Sequence, residues 1–600
     1  MGVARLIFTS GGTNMRKQRL GLRRLYQQLD KILLLFFMIF MVMEVVWVPF
    51  NSFAADLLLS QTGQLYLSYS NALAVFTSNP LVTVGLVGLF VANLFIAYLQ
   101  MGTIFMGIHQ LLKSENPSMR HFIKRTFQQS WDLVKHFHIS KALFILLYAG
   151  LLFPIMRKAL NLRYFNKFVL PEFIETWLLN KPLFAALLLS LSLLGLYLAV
   201  RLVYALPELL FEGKTVREAV KSSWKQSQGR FWRTGRSLFW LLIKVGLFFT
   251  FWSFVVIVLQ VLADQLPETW SFGAALVNFA LIKVIYYLTI IYFMVRFVTL
   301  VTERDLPDFD SRIKTHGGVR FAILGASSLV FLGQGYLILT LPAQNPPLVI
   351  SHRGVSEANG VQNTIESLET TSKLKPDLVE MDVQETKDGQ FVMMHDSNLK
   401  DLAGVDAKPQ ELTLEELTNL TVKENGQEAK IPSFDAYLKR ADELGVKLLI
   451  EIKTSKLDSP DMMERFLKAY GPTIIAKGHQ MHSLDYQVVE SVRKYSSKIP
   501  VYFILPYNSI FPQTAATGYT MEFTTLDDDF MVKLWLNDKK AYAWTINDES
   551  SLQKTLNLGV DGIITDDLQL VQAEVASLNS DRNYAEILSD QLWHYANVFE

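Results

Sequence analysis

The 600-residue chain contains no cysteine, which excludes disulfides and thiolate metal sites. Charge is also scarce: 19% of residues are Asp, Glu, Lys or Arg while 50% are hydrophobic, and soluble domains carry about 25% charged residues. From Ile32 to Leu112 there is no lysine or arginine at all. Basic and acidic residues nearly cancel, leaving a net charge of +1. No basic field exists to draw in nucleic acid, and no nucleic-acid partner is expected. The shortage of charge is confined to residues 1–345; after about Leu341 the chain turns polar, with the mixed patterns of a globular domain. The expected organisation is a polytopic membrane domain over 1–345, a second domain over 346–572 and a helical tail over 573–600.

A helix needs about 20 apolar residues to cross a bilayer. The hydropathy pattern predicts seven spans, at roughly 32–51, 81–112, 142–156, 183–206, 237–262, 275–300 and 319–341, the third of them short and containing Pro154. The intervening charges alternate. Arg16, Lys17, Arg23 and Arg24 precede the first span, and loop 52–80 has no basic residue. Lys113, Arg120, Lys124 and Arg125 follow the second span, Lys214, Arg217, Lys221 and Arg230 precede the fifth, and loop 263–274 again lacks positive charge. This alternation places the N-terminus in the cytoplasm, and seven crossings then carry the second domain outside. Loop 157–182, with Arg157, Lys158, Arg163, Lys167 and Lys181, breaks the pattern. Ser130-Trp131 and Ser223-Trp224 sit in two basic, amphipathic stretches, which read either as an interfacial helix pair on anionic lipid or as ordinary cytoplasmic loops. Arg201 and Glu44 are expected to snorkel from span ends, and Lys244 and Lys283 to be buried and paired.

In the second domain, short apolar runs alternate with helical patterns. The runs include Leu348–Ile350, Leu378–Val383, Phe391–Met394, Leu448–Ile452, Val501–Leu505, Ala541–Thr545 and Gly562–Thr565. Such alternation predicts a parallel α/β fold, most naturally a TIM-type (β/α)8 barrel with its site at the C-terminal ends of the strands. His352, Glu380, Asp382, His395, Glu451, Lys453 and Trp544 fall at or near those ends. Side chains alternate across a strand, so Glu380 and Asp382 share a face, as do Glu451 and Lys453. Glu380, Asp382 and Glu451 form an all-oxygen set suited to one divalent cation, Ca²⁺ or Mg²⁺. Arg353 and Lys453 supply fixed positive charge for a phosphate. Histidine is suited to proton transfer at neutral pH.

The motifs His352-Arg353-Gly354, Glu380-x-Asp382-Val383, Thr386-Lys387-Asp388-Gly389, His395-Asp396, Glu451-Ile452-Lys453, Trp544-Thr545-Ile546-Asn547 and Gly559-Val560-Asp561-Gly562-Ile563-Ile564-Thr565-Asp566 occur in this order. Over about 347–570 the chain thereby resembles the glycerophosphodiester phosphodiesterases. One departure is that Val361-Gln362-Asn363-Thr364 stands where the family usually reads Pro-Glu-Asn-Thr. The resemblance implies that His352 and His395 form the acid–base pair and that Trp544 is a platform for substrate. It also implies that the glycerol 2-hydroxyl attacks phosphorus, giving a cyclic phosphate that water then opens. Neither His479 nor His482 is expected to be essential. The expected activity is metal-dependent release of sn-glycerol 3-phosphate from extracytoplasmic glycerophosphodiesters. Substrates would be phospholipid headgroups, membrane lipid or glycerol-phosphate polymers. The rivals are another phosphodiesterase or phospholipase activity on the same barrel, and a lipid-handling membrane protein with a sensing barrel.

Overall fold

A computed structural model of the chain describes residues 27–62, 67, 71–113, 117–153, 155–156, 172–302, 317–340, 346–507, 511–578 and 583–596. It divides into two compact units, one comprising 1–63, 74–337 and 584–600 and the other 64–73 and 338–583.

Among the described residues of the first unit, six helices are long and apolar enough to cross a membrane: Leu29–Ser60, Pro80–Lys113, Pro182–Arg201, Phe231–Ala263, Glu268–Thr302 and Gly318–Thr340. They are labelled α1 to α6 in that order. The third expected span is instead a short apolar helix, Ile139–Leu147, continued by a π-turn over Tyr148–Leu152. At 1.5 Å per residue these segments span about 21 Å, less than a hydrocarbon core of about 30 Å. Most of loop 157–182 lies outside the described residues.

Side-chain contacts fix how the helices alternate. Gln28 Nε2 donates to the carbonyl of Leu111 at 3.0 Å, and an Arg320 guanidinium nitrogen donates to the carbonyl of Gln27 at 3.1 Å. The starts of α1 and α6 therefore share one end with the C-terminus of α2. Phe40 meets Tyr287 at 5.7 Å between ring centroids, and Phe105 meets Phe297 at 6.1 Å, so α5 runs antiparallel to α1. Tyr336, late in α6, packs on Phe272, early in α5, with ring centroids 6.2 Å apart. The end of α6 thus lies beside the α4–α5 loop, at the end of the bundle away from Gln28.

The tail divides between the units. Leu568–Leu578 belongs to the second unit, whereas the C-terminal helix Tyr584–Ala596 is built into the first. The Ala585 amide donates to Asp264 Oδ2 at 2.9 Å, the Tyr584 ring lies 5.8 Å from Phe272, and Tyr595 lies 5.2 Å from Tyr286. Lys283 Nζ sits 4.5 Å from the Tyr595 ring centroid, which gives this intramembrane cation an aromatic face. Lys244 differs from expectation and is exposed on the bundle surface. Arg201 is also different: it is buried, its guanidinium 4.2 Å from the Trp224 ring centroid, and the Ser223 hydroxyl donates to its carbonyl at 2.8 Å. Trp131, in the sister Ser-Trp motif, is exposed, as is Trp224; the two serines differ, Ser130 meeting the Thr103 hydroxyl and Ser223 the Arg201 carbonyl.

The second unit is the barrel. Its strands are β1 (Leu348–Ser351), β2 (Leu378–Glu385), β3 (Phe391–Met393), β4 (Thr421–Glu424), β5 (Gln427–Lys430), β6 (Leu448–Ile452), β7 (Gln480–Ser483), β8 (Val501–Leu505), β9 (Gly518–Glu522), β10 (Lys540–Trp544) and β11 (Gly562–Thr565). The sheet order is β1-β11-β10-β9-β8-β7-β6-β2-β3, and β1 also pairs with β2. That last pairing closes eight parallel strands into a barrel, while β3 lies antiparallel on β2 and β4–β5 form a separate hairpin. Strand alternation makes two layers. Val379, Met381, Val383, Leu448, Ile450 and Ile452 point outward to the helices and join a core with Phe434, Leu438 and Phe466. Leu378, Leu449, Ile350, Tyr502, Tyr542 and Ile564 fill the barrel floor. On β2 and β6 the next inward residues toward the C-terminal end are Glu380, Asp382 and Glu451, so an apolar floor carries a charged roof.

Candidate active site

The register sets the charged groups side by side. Asp382 pairs with Glu451 across β2–β6, and Glu451 pairs with His482 across β6–β7. Lys453 follows β6 and places Nζ 2.9 Å from Glu451 Oε1 and 3.2 Å from Asp382 Oδ1. Burial alone would lower the Lys453 ammonium, but the flanking Glu451 and Asp382 carboxylates outweigh it and hold it above its usual range. Burial alone would likewise raise Asp382. Lys453, His395 and Arg353, with a hydrogen bond from Asn363, instead hold its carboxyl well below the usual range. Asn363 makes a paired contact: its Nδ2 donates to Asp382 Oδ2 at 2.8 Å, and its Oδ1 accepts from the Asp382 amide at 2.9 Å.

The His352-Arg353-Gly354 turn caps β1. Gly354 has φ +70°, and a Cβ there would lie 2.7 Å from the Tyr437 hydroxyl oxygen, so the turn requires glycine on both counts. The turn aims the Arg353 amide at Glu380 Oε2, 2.8 Å away. The Arg353 guanidinium donates to Gln362 Oε1 and to His395 Nε2, each at 2.8 Å. His352 Nδ1 lies 2.8 Å from Asp566 Oδ1, and His395 Nδ1 lies 2.8 Å from Asp396 Oδ1. The His395 hydrogen bond holds the Asp396 carboxyl below its usual range; at Asp566 burial opposes the shift, but the bond to His352 prevails. Gln384, on β2, donates to the carbonyls of Met394 and Asp396 at 2.9 Å, which fixes the loop carrying His395.

These residues fit a divalent cation. Glu380, Asp382 and Glu451 are at most 7% exposed. Asp382 Oδ1 and Glu451 Oε1 both face the Lys453 ammonium, and Lys453 balances only one of three negative charges. Buried carboxylates in such excess call for a further positive charge. Trp544 is half-buried at the end of β10 and borders the barrel floor.

The structure separates His482 from His479. His482 is buried beside the carboxylates, with Nε2 3.5 Å from Glu380 Oε1. His479 is remote from that cluster: its Nδ1 accepts from the Leu448 amide at the start of β6, and its Nε2 faces Asp442. The signal for His482 was present in Gln480-Met481-His482-Ser483. Met481 points out to the core, so strand alternation turns Gln480 and His482 inward.

Comparison with known proteins bears directly on this arrangement. Residues 18–331 match the membrane domain of glycerophosphoryl diester phosphodiesterase, and residues 352–570 match the glycerophosphoryl diester phosphodiesterase family. The chain belongs to that family. Among its relatives, YhdW of Bacillus subtilis (strain 168) is 28% identical over 232 residues, covering 36% of this chain and 93% of the relative. The glycerophosphodiester phosphodiesterase of Caldanaerobacter subterraneus is 26% identical over 229 residues, covering 37% and 94%. A solved glycerophosphodiester phosphodiesterase from Parabacteroides distasonis is similar at 26% identity over 39% of this chain and 99% of its own, with a TM-score of 0.35.

This glycerophosphodiester phosphodiesterase is therefore a hydrolase of glycerophosphodiesters joined to a multi-pass membrane domain. Its departure at 361–364 has a local structural counterpart. Gln362 accepts from Arg353 and donates through Nε2 to Glu424 Oε1 at 2.8 Å. The negative charge that a glutamate at this position would bring is supplied one residue further from Arg353, by Glu424.

Proposed function

We propose that this enzyme acts outside the cytoplasm, with one divalent cation held by Glu380, Asp382 and Glu451 and with His395 and His352 as base and acid. It releases sn-glycerol 3-phosphate and an alcohol. The observation that carries this reading is the pairing of each imidazole Nδ1 with its own carboxylate, His352 with Asp566 and His395 with Asp396. A carboxylate on Nδ1 fixes the tautomer and makes Nε2 the working nitrogen. A guanidinium can only donate, so its contact with His395 Nε2 means that this nitrogen rests without a proton. His395 is thereby suited to take the proton of the attacking glycerol 2-hydroxyl, and His352 to give one to the leaving alkoxide. Arg353 and Lys453 orient the phosphate and oppose its charge. A bound divalent cation would neutralise charge on the phosphoryl oxygens.

The external location rests on the alternation of basic and non-basic loops together with the helix order. Six full-length spans alone would return the chain to the cytoplasm, but the end of α6 lies at the end of the bundle opposite the basic start of α1, so the chain changes sides once more and a cytoplasmic N-terminus puts Leu337 outside. Substrates there include phospholipid headgroups, membrane lipid and glycerol-phosphate polymers.

The test is product analysis of the purified chain on glycerophosphocholine, phosphatidylglycerol and poly(glycerol phosphate), with and without chelator. Glycerol 3-phosphate formed only with divalent cation is expected. In the same assay His352→Ala should be largely rescued by a substrate with an acidic aryl alcohol as leaving group, and His395→Ala should not. Equal rescue of both variants would refute the assignment of roles.

A further inference from the structure

His482 lies deep in the barrel roof, 2% exposed, and neither of its ring nitrogens has a hydrogen-bond partner. An imidazole buried in this state normally finds a donor or acceptor, because leaving it unpaired forfeits the hydrogen bonds it had in water. One ligand atom each from Glu380, Glu451 and His482 lies within 4.8 Å of the others. Two ligands opposed across an ion at about 2.0–2.2 Å from each stand a little over 4 Å apart, so this cluster has the dimensions of a coordination shell. His482 Nε2 and Glu380 Oε1 are 3.5 Å apart, too long for a strong hydrogen bond and suited to two ligands on one ion.

We propose that His482 is a nitrogen ligand of the catalytic cation and that it turns the site from Ca²⁺ toward borderline ions such as Mn²⁺, Co²⁺ or Zn²⁺. This rests on the reading of Glu380, Asp382 and Glu451 as a metal site, and goes beyond it in naming a ligand and a class of ion. Position 482 lies in none of the motifs that carry the family resemblance. Three carboxylates alone make a hard site in which Ca²⁺ and Mg²⁺ compete well. An imidazole adds bond strength for first-row divalent ions and little for Ca²⁺. The strand that carries it is fixed: His482 pairs in register with Glu451 across β6–β7 and with Tyr502 across β7–β8, and Met481 anchors the strand in the outer core.

The test uses the full chain in lipid nanodiscs loaded with Mn²⁺, read by pulsed electron paramagnetic resonance for a directly bound nitrogen. The wild type should show ¹⁴N modulation that disappears in His482→Gln, whose amide oxygen keeps the ligand count and the fold. Titrations of Mn²⁺ and Ca²⁺ should show the preference for Mn²⁺ falling by about tenfold or more in His482→Gln and His482→Ala. Thermal unfolding in Ca²⁺ should leave His482→Gln close to wild type, showing that the barrel persists. Bound Mn²⁺ without nitrogen coupling, or an unchanged Mn²⁺ to Ca²⁺ preference in both variants, would overturn the His482 assignment and leave the carboxylate site standing. Failure of the wild type to bind any of these ions would overturn both.

Discussion

Replacing Lys453 by Met tests the electrostatics of the site most directly. Nζ lies 2.9 Å from Glu451 Oε1 and 3.2 Å from Asp382 Oδ1 in a group that is 18% exposed. At an effective dielectric near 20, contacts of this length are worth roughly 5 kcal/mol each. Desolvating the ammonium offsets several kcal/mol of that, and breaking buried pairs of this kind costs about 3–5 kcal/mol net. Met fills the same space, so no cavity contribution is added. For a barrel of this size each kcal/mol moves the midpoint by about 2–4 °C, which gives a drop of roughly 6–20 °C in chelator. A divalent cation replaces the missing charge, so adding it should raise the Lys453→Met midpoint by more than it raises the wild type's. The assay is differential scanning calorimetry of the barrel transition in chelator and at saturating cation. Equal midpoints for mutant and wild type in chelator, or equal cation-induced shifts, would refute the reasoning. With cation restored, kcat should still fall by about 10²–10³, the usual effect of removing one preorganised positive or hydrogen-bonding partner of a developing anion.

Glu380→Ala should weaken cation binding and turnover together, measurable by isothermal titration alongside a phosphodiesterase assay; full activity in excess chelator would contradict the metal assignment. His352→Ala and His395→Ala should each lose several orders of magnitude on natural substrates while the barrel still unfolds cooperatively, and wild-type kcat/KM should follow a bell in pH. Asp566 and Asp396 are held below their ordinary value of 3.8. Their contribution to stability is therefore present above that value and lost as pH falls through their folded pKa, so Asp396→Asn should flatten the acid limb of the unfolding midpoint against pH. The chain has no cysteine, so single cysteines at the exposed positions Lys456 and Lys468 should react with a membrane-impermeant thiol reagent on intact cells. Labelling only after lysis would place the barrel inside.

The barrel was legible because six of its eight strands carry outward apolar residues in runs long enough to stand out. The two that escaped notice, β7 and β9, are Gln-Met-His-Ser and Gly-Tyr-Thr-Met-Glu. Each spends its inward positions on polar groups, which leaves too few apolar residues to signal a strand. That is also why His482 escaped: a histidine in a segment read as loop has no reason to face the buried carboxylates. His352, Arg353, Glu380, Asp382, His395, Glu451 and Lys453 were found through strand alternation and motif order, and the structure brings them together. Their supports were not foreseeable. Asn363 reaches Asp382 from 19 positions away and Asp566 reaches His352 from 214, distances that only barrel closure makes short. In the membrane unit, length and hydropathy identified the six long helices, but helix Ile139–Leu147 was overestimated because an apolar stretch does not reveal where its helix stops.

The C-terminal helix gives the architecture an order of assembly. The membrane unit is completed by Tyr584–Ala596, a segment synthesised after the entire barrel. In chain terms the barrel is thus an insertion between the last two helices of its own anchor. A ribosome must finish the barrel before the final helix can dock beside Lys283 and Asp264. A protease that cuts once between α6 and β1 would leave the barrel attached through its other end.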